Sequence, residues 1–407
     1  MKDSIKLIFI YVVFFMSYKY MIVPKFNYMG FSDNFDVGRL FFSLFVLFLS
    51  VTTFALTKDG FAKFILALIF IFVTAPNLIT FIFMGSDYRI PIWSFLCIPI
   101  TSFVFAFIPR VTIPSMKELH VEYLLWFLIF ACVLPVILAH GVKINIDVFM
   151  FDVYDVRRLS RENNTFASVY GYFWLAKVIC PIAMIFSLER KKKLMFSISF
   201  LILVYLFMTT GHKSVFLTVL IIIALFSGSQ NYYRKTSYLL TCCVVLFFSI
   251  RLLSHVSGFI LPESLFVRRL FFIPSMLNIY YFDFFDSNFV YYSSSYLSAF
   301  LDYPYSKTIP QVIGYQYFNS EEMSANNGYI SDGFANLGDM GVFINIVLSA
   351  LVLKVFRDYE VPVKYSGLIF VTFYAIQGSA MSTMLFTHGG LLLMLLTPLA
   401  LKPKLND

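Results

Sequence analysis

At 407 residues the chain could form two or three soluble domains, but 59% of its residues are hydrophobic and 13% are charged, against about 25% charged in an ordinary soluble domain. This composition excludes a water-soluble protein and predicts one helical domain, 1–407, embedded in a membrane. The net charge of +8 comes from Lys and Arg residues spread over short loops between apolar runs, a pattern that sets membrane orientation and argues against nucleic-acid binding.

Apolar runs of span length begin at the N-terminus. The first five lie at 5–23, 39–56, 62–84, 90–108 and 121–140. No small-residue cleavage site follows the first run, so it is predicted to be an uncleaved span. Basic residues fall in alternate loops, at Lys58 and Lys63 and then at Arg110 and Lys117. The positive-inside rule therefore predicts a cytoplasmic N-terminus and an external loop at 141–165.

The second half continues the pattern. A sixth run, at 166–188, ends in the basic cluster 189–193, which is the strongest cytoplasmic anchor in the chain. Six further runs lie at 194–210, 214–228, 237–257, 341–356, 366–386 and 389–401. We expect about twelve spans, with both termini cytoplasmic and a second, larger external loop at 257–340. The tenth and twelfth runs are short enough to be interfacial or re-entrant.

The loop 257–340 has the composition of an ordered segment. Pro262-Glu263 predicts the start of a helix, because proline is favoured at the first helical position and a carboxylate suits the positive helix end. Its aromatic residues, including Tyr280 and Tyr281, are expected to lie along the headgroup layer. The loop is therefore predicted to cap the helix bundle at the outer surface.

The end of this loop is rich in amides and glycines. Asn326 and Asn327 precede a series of glycines at Gly328, Gly333, Gly338 and Gly341. These residues suit tight turns with positive φ, which would explain the glycines without any ligand.

Arginines in the predicted external loops are candidates for binding a lipid pyrophosphate. They are Arg157, Arg158 and Arg161 in the first loop and Arg268 and Arg269 in the second. The planar guanidinium holds phosphate through two parallel hydrogen bonds, so the two groups could form a paired clamp. Alternatively, these side chains extend to ordinary anionic headgroups.

Further ionisable residues lie at or in the predicted membrane. Four basic candidates for pyrophosphate binding or proton transfer are His212, Lys213, Arg251 and His255. Placing such groups in lipid is costly, so a partner, a function or an anchoring role is expected for each. Four carboxylates in the second loop could serve as a general base or could be solvated loop residues: Asp283, Asp302, Glu321 and Asp332.

Several motifs are absent from the sequence. All five cysteines fall in apolar runs and offer neither a disulfide framework nor a metal-binding spacing. We find no phosphate-binding glycine loop, no HExxH and no Gly-x-Ser-x-Gly elbow. The sequence thus gives no support for nucleotide hydrolysis or metalloprotease chemistry, and we expect no metal and no cofactor.

From about Arg268 to Gly341 the pattern resembles the bacterial oligosaccharide repeat-unit polymerases, the Wzy-type O-antigen polymerases. The segments that carry the resemblance are 268–274, 280–281, 303–305, 313–318, 326–328 and 332–341. The tip Gly211-His212-Lys213-Ser214 is similar to a Gly-x-Arg-Ser feature of the family, with Lys213 where arginine is usual.

The resemblance implies a metal-independent membrane glycosyltransferase with a GT-C-like helical bundle in the bacterial inner membrane. Such an enzyme transfers a growing O-antigen or capsular glycan from undecaprenyl pyrophosphate to a hydroxyl of the next lipid-linked repeat unit. Arg268 and Arg269 would stabilise the leaving pyrophosphate, with His255 or Asp332 as the base. Tyr280, Tyr281, Asn326 and Asn327 would contact sugar. A chain-length regulator and a flippase are the expected protein partners.

Three alternatives remain at this stage. A flippase or other transporter would usually have internal repeats and binding residues near the midplane. A GT-C transferase that uses a polyprenyl monophosphate sugar would have an acidic pair in its first outer loop, where Asp33 and Asp36 lie. A sugar acyltransferase ranks last, because no span pairs a basic residue with a histidine at a convincing spacing.

Overall fold

The structure is a computed structural model that describes residues 2–110, 117–142, 160, 162–211 and 213–401. The side chains of residues 213, 214 and 216 lie outside this description. Within the described residues the regular elements are helices and no strand occurs, which confirms the all-α prediction.

Fourteen helices are labelled here in chain order. They are α1 (Lys2–Met29), α2 (Val37–Leu56), α3 (Gly60–Met84), α4 (Arg89–Phe107), α5 (Glu118–His140), α6 (Phe166–Arg190), α7 (Lys193–Thr210), α8 (Lys213–Phe226), α9 (Tyr232–Ser257), α10 (Glu263–Phe272, continued by Ile273–Phe285), α11 (Ile309–Phe318), α12 (Tyr329–Asp358), α13 (Ser366–Gln377) and α14 (Met381–Leu401).

Ten of the described helices are long and apolar enough to cross a membrane. About twelve spans were expected from the sequence. Two of the predicted runs do not form helices of span length: 214–228 and 366–386. The first becomes α8, which has 14 residues, and the second is divided into the 12-residue α13 and the start of α14. Gly378 and Ser379, both poor helix formers, occupy the break.

The chain forms two compact units. The first comprises Met1–Ile108, Asn231–Leu351 and Ile376–Met381. Its centre is α3, whose most apolar stretch is completely buried, and around it pack α1, α2, α4, α9 and α10. Aromatic side chains fill the contact between α3 and α10, where the rings of Phe72 and Phe271 stack with centroids 5.1 Å apart.

The second unit comprises Pro109–Gln230, Val352–Ala375 and Ser382–Asp407. Helix α6 packs against α5, α7 and α8. Ion pairs join the predicted cytoplasmic anchor to neighbouring elements: Arg190 Nε lies 2.7 Å from Glu118 Oε1, and Lys364 Nζ lies 2.5 Å from Glu189 Oε1. The charges of this anchor therefore also fix helix ends.

Wide π-helical turns occur in four helices directly before a proline. The turns Tyr18–Ile22, Phe70–Thr74, Leu175–Ile179 and Glu263–Phe272 each end two residues before one. Proline lacks an amide hydrogen and its ring clashes with the carbonyl four residues earlier, so a locally wider helix relieves the clash. The last of these turns carries Glu263 and Arg268, which places the wide turn at the site described below.

Helix α12 corrects the predicted end of the second loop. It begins at Tyr329, so residues 329–340 are helical and belong to a candidate span. The helix is broken at Leu337 and Gly338, where φ is −141° and +58°. Its first half is buried: the apolar side chains of Ile330 and Phe334 are 3% and 0% exposed. A buried backbone must satisfy its own hydrogen bonds, and a helix does so within the segment.

The glycine prediction is wrong in part. Of the four glycines expected to need positive φ, Gly338 is the one that has it. Gly333 and Gly341 instead face each other across the break, since a Cβ on Gly341 would lie 2.0 Å from the Gly333 carbonyl oxygen. A Cβ on Gly328 would lie 2.3 Å from the Gln377 carbonyl oxygen. These three glycines permit close backbone contact.

Candidate functional site

Arg268 is a buried arginine in the wide turn of α10. Its side chain is 6% exposed and lies against the end of α1. Nη2 donates to Ser264 Oγ at 2.6 Å, and the guanidinium lies over the Phe26 ring at 4.7 Å from the centroid. Nη1 is 2.9 Å from Met29 Sδ. We call Lys25, Phe26, Met29, Glu263, Ser264 and Arg268 the Arg268 site.

The guanidinium of Arg268 has no anionic partner among the described residues. Its contacts are a hydroxyl, a ring and a thioether, and a thioether is a weak acceptor. The buried Nε has no hydrogen-bond partner. Burial, and then the neighbouring positive charge of Arg269, lower the pKa of Arg268. A buried cation with unused donors is well suited to bind an anion.

Glu263, at the start of the same turn, forms a buried ion pair with Lys25. The carboxylate is 0% exposed, and its Oε2 accepts from Lys25 Nζ. Lys25 also donates to Ser254 Oγ at 2.7 Å. The second oxygen, Oε1, is buried without a hydrogen-bond partner. The predicted helix start at Pro262-Glu263 is confirmed, because α10 begins at Glu263.

Arg269 does not point the same way as Arg268. Its side chain is exposed, whereas that of Arg268 is buried. Adjacent residues on a helix face different directions, so these two side chains do not form one arm of a clamp. Arg157, Arg158 and Arg161, predicted to face them, lie outside the described residues.

A chain of buried amides and hydroxyls connects α3, α10 and α12. Asn327 Nδ2 donates to Asn278 Oδ1 at 2.9 Å and to Ser331 Oγ at 2.7 Å. Asn278 Nδ2 in turn donates to Asn77 Oδ1 at 3.0 Å. Side-chain hydrogen bonds of this kind join helices within membranes. Asn327 thus joins helices from a buried position, and its contact with sugar stays a prediction.

Asp332 is buried in α12, rather than solvated in a loop. It is 7% exposed, and both carboxylate oxygens accept hydrogen bonds. Oδ1 accepts from Asn336 Nδ2 at 3.2 Å, and Oδ2 accepts from Asn345 Nδ2 at 3.1 Å and from the Met381 amide at 2.9 Å. With both oxygens occupied, Asp332 suits a structural role in joining α12 to the start of α14 better than a general-base role.

The predicted sugar-binding residues divide into buried and accessible ones. Tyr281 is 2% exposed, and its hydroxyl donates to the Ala325 carbonyl at 3.0 Å. Tyr280 is partly exposed and stacks on Tyr317 with centroids 4.3 Å apart and planes 8° apart. The exposed Asn326 follows Ala325. Tyr280 and Asn326 therefore remain accessible for contact with a glycan, whereas Tyr281 is part of the core.

The other basic candidates are not brought to the Arg268 site by any described contact. Arg251 is exposed on α9, where Nη1 donates to the Tyr20 carbonyl at 3.4 Å, and His255 is exposed one turn further. His212 lies outside the described residues. Lys213 begins α8, but its side chain is also outside the description.

Most partners of Arg268 could not be recognised from the sequence. Lys25, Phe26 and Met29 fall in the loop that follows the first predicted span, 5–23, and Glu263 was assigned only to a helix start. Asn77, inside an apolar run, is an intramembrane amide, and this signal was available in the sequence. No comparable signal marks Lys25 and Glu263 as a pair, because they are 238 residues apart.

Comparison of the chain with models of protein families, with curated proteins and with solved structures finds no match in any of the three. The fold defines the chain as an all-helical, multi-pass membrane protein. Within the described residues no cluster of three or more His, Cys, Asp or Glu side chains has the geometry of a metal site.

Proposed function

We propose that the protein is a glycan polymerase at the outer face of the bacterial inner membrane. It transfers a growing chain from an undecaprenyl pyrophosphate carrier to a hydroxyl of the next lipid-linked repeat unit. The observation that carries the proposal is the buried Arg268 guanidinium, which has a free Nε and no anionic partner among the described residues. The sequence pattern from Arg268 to Gly341, similar to repeat-unit polymerases, supports the same reaction.

Arg268 has the chemistry that the leaving group requires. When the bond between sugar and pyrophosphate breaks, negative charge develops on the departing oxygen, and a fixed cation in a low-dielectric site stabilises it. The thioether of Met29 is a weak partner for Nη1, so a phosphate oxygen can displace it with a gain in hydrogen-bond strength. The accessible rings of Tyr280 and Tyr317 provide an apolar face for a sugar nearby in α10 and α11.

The proposal is tested by deleting the gene and examining the surface glycan on a gel. Loss of a polymerase leaves glycan that carries a single repeat unit, and the wild-type gene restores the ladder of chain lengths. An Arg268→Ala gene should fail to restore the ladder although the protein accumulates in the membrane. An unchanged ladder in the deletion strain would contradict the proposal.

A transporter of lipid-linked glycan is the second candidate. The observation that favours it is the break at Leu337–Gly338 in α12, close to the buried Asp332, because discontinuous helices form the binding sites of many transporters. The two functions differ in the deletion strain. Loss of a transporter abolishes all external repeat units, whereas loss of a polymerase leaves one on each acceptor.

A further inference from the structure

Two buried polar atoms without a hydrogen-bond partner lie in the same turn of α10. One is an acceptor, Glu263 Oε1, and the other is a donor, Arg268 Nε. Burying a polar group without a partner costs about 1–3 kcal/mol, so native proteins rarely leave one empty without a reason. These two atoms, one acceptor and one donor in the same turn, match a group that both donates and accepts a hydrogen bond.

The wide turn places these residues on the same side of the helix. A π-helix pairs residue i with residue i+5, and Glu263 and Arg268 are five apart within Glu263–Phe272. The Arg268 side chain points back toward the start of the turn, since it donates to Ser264 Oγ at 2.6 Å. Consecutive residues of α1 cover both, with Lys25 bonded to Glu263 and Phe26 under Arg268.

The contacts of Glu263 leave one oxygen available. Lys25 compensates the charge of the buried carboxylate through Oε2, and its bond to Ser254 Oγ fixes the ammonium in place. No hydrogen bond or ion pair joins Glu263 to Arg268. Oε1 is therefore free to accept a proton from an incoming group. Asp332, in contrast, has both oxygens occupied.

We propose that Glu263 is the general base of the transfer, with the acceptor sugar hydroxyl bound between Oε1 of Glu263 and Nε of Arg268. This inference rests on the proposed polymerase function and names the acceptor subsite within it. A hydroxyl matches both free atoms, because its O–H donates to the carboxylate and its oxygen accepts from the guanidinium. Entry requires movement of Asn27–Met29, the short turn that lies against Arg268 and ends at Gly30, where φ is +98°.

The acceptor O–H bond breaks, its proton moves to Oε1, and the oxygen's electron pair forms a bond to the anomeric carbon of the donor glycan. The bond from that carbon to the pyrophosphate oxygen breaks, and the pair leaves with undecaprenyl pyrophosphate, whose charge Arg268 stabilises through its Nη atoms. The proton on Glu263 passes to solvent before the next cycle.

The test uses purified full-length protein in lipid vesicles and the lipid-linked repeat unit isolated from the deletion strain. Glu263→Gln keeps the shape of the side chain and removes its ability to take the proton. We expect kcat to fall by about 10²–10⁴-fold, with KM changed less than threefold. Glu263→Ala should recover part of its rate when formate is added, whereas chloride should not restore it.

A double variant, Lys25→Met with Glu263→Gln, separates catalysis from charge balance. It removes the ion pair as a whole, so the protein should fold, and it should remain inactive. Recovery of the rate in the double variant would show that Glu263 only balances Lys25. A Glu263→Gln rate within threefold of wild type would assign Oε1 to a structural water and overturn the inference. If wild-type protein makes no polymer, the proposed function fails instead.

Discussion

Replacement of Arg268 by methionine should separate function from stability at this site. Methionine is uncharged and unbranched but shorter than arginine, so it fills part of the space over Phe26 and demands no hydrogen bonds. The variant loses the hydrogen bond to Ser264 at 2.6 Å, worth about 1.5–3 kcal/mol. It also loses the contact with the Phe26 ring at 4.7 Å, worth about 0.5–2 kcal/mol. It also removes a buried charge and an unpaired Nε–H, the latter costing about 1–3 kcal/mol.

These opposing contributions nearly cancel, and burial of the charge adds a further cost to the native arginine. We therefore expect a midpoint of thermal unfolding within a few degrees of wild type. Activity should respond differently, because one donor to a developing oxyanion is typically worth about 10²–10³-fold in kcat. Arg268→Lys should recover little of this loss, since lysine lacks the planar fork.

The assay measures both properties on the same protein sample. Thermal unfolding in detergent gives stability, and the rate of glycan extension in vesicles gives activity. Arg234→Met, an exposed arginine in the first turn of α9, is the matched control and should leave both unchanged. A fully active Arg268→Met protein, or one that unfolds far below wild type, would refute this account of Arg268.

Three further predictions concern the elements around the site. Gly341→Ala should lower stability and expression because its Cβ would lie 2.0 Å from the Gly333 carbonyl oxygen. The control, Met340→Ala at the neighbouring exposed position, should not lower them. Equal yields of the two variants on fluorescence size exclusion would argue against the backbone contact. Asn278→Leu should lower the midpoint of thermal unfolding by several degrees, since Asn327 and Asn77 each lose a hydrogen-bond partner. An unchanged midpoint would show that these buried hydrogen bonds add no stability. Asp332→Asn should retain most activity, because it keeps an acceptor for part of the hydrogen bonds; a stable but inactive protein would restore Asp332 as a base.

Composition was sufficient to predict an all-α membrane protein, because bilayer insertion requires each span to satisfy its own backbone hydrogen bonds. Boundaries near α12 were harder to predict. The polar residues Asn327, Asp332 and Asn336 favoured a loop, yet the structure satisfies them by pairing with one another and with neighbouring helices. Polarity alone does not distinguish a solvated turn from a buried network.

The candidate site was predicted in part. Arg268 was identified from the sequence, but its burial was not, because Arg268 and Arg269 look equivalent in the sequence. Adjacent residues face different sides of any helix, and tertiary packing decides that Arg268 lies against α1 while Arg269 is exposed. Lys25 lies just after the first predicted span, 5–23, and its pairing with Glu263 depends on tertiary packing that no local pattern encodes.

The most direct measurement is the length of glycan formed by the purified protein from lipid-linked repeat units alone, without nucleotide or added metal. We expect products that grow in steps of one repeat unit, with release of undecaprenyl pyrophosphate, and growth slowed by about 10²–10³-fold for Arg268→Met. Lipid-linked units that stay single after incubation with folded wild-type protein would contradict this expectation.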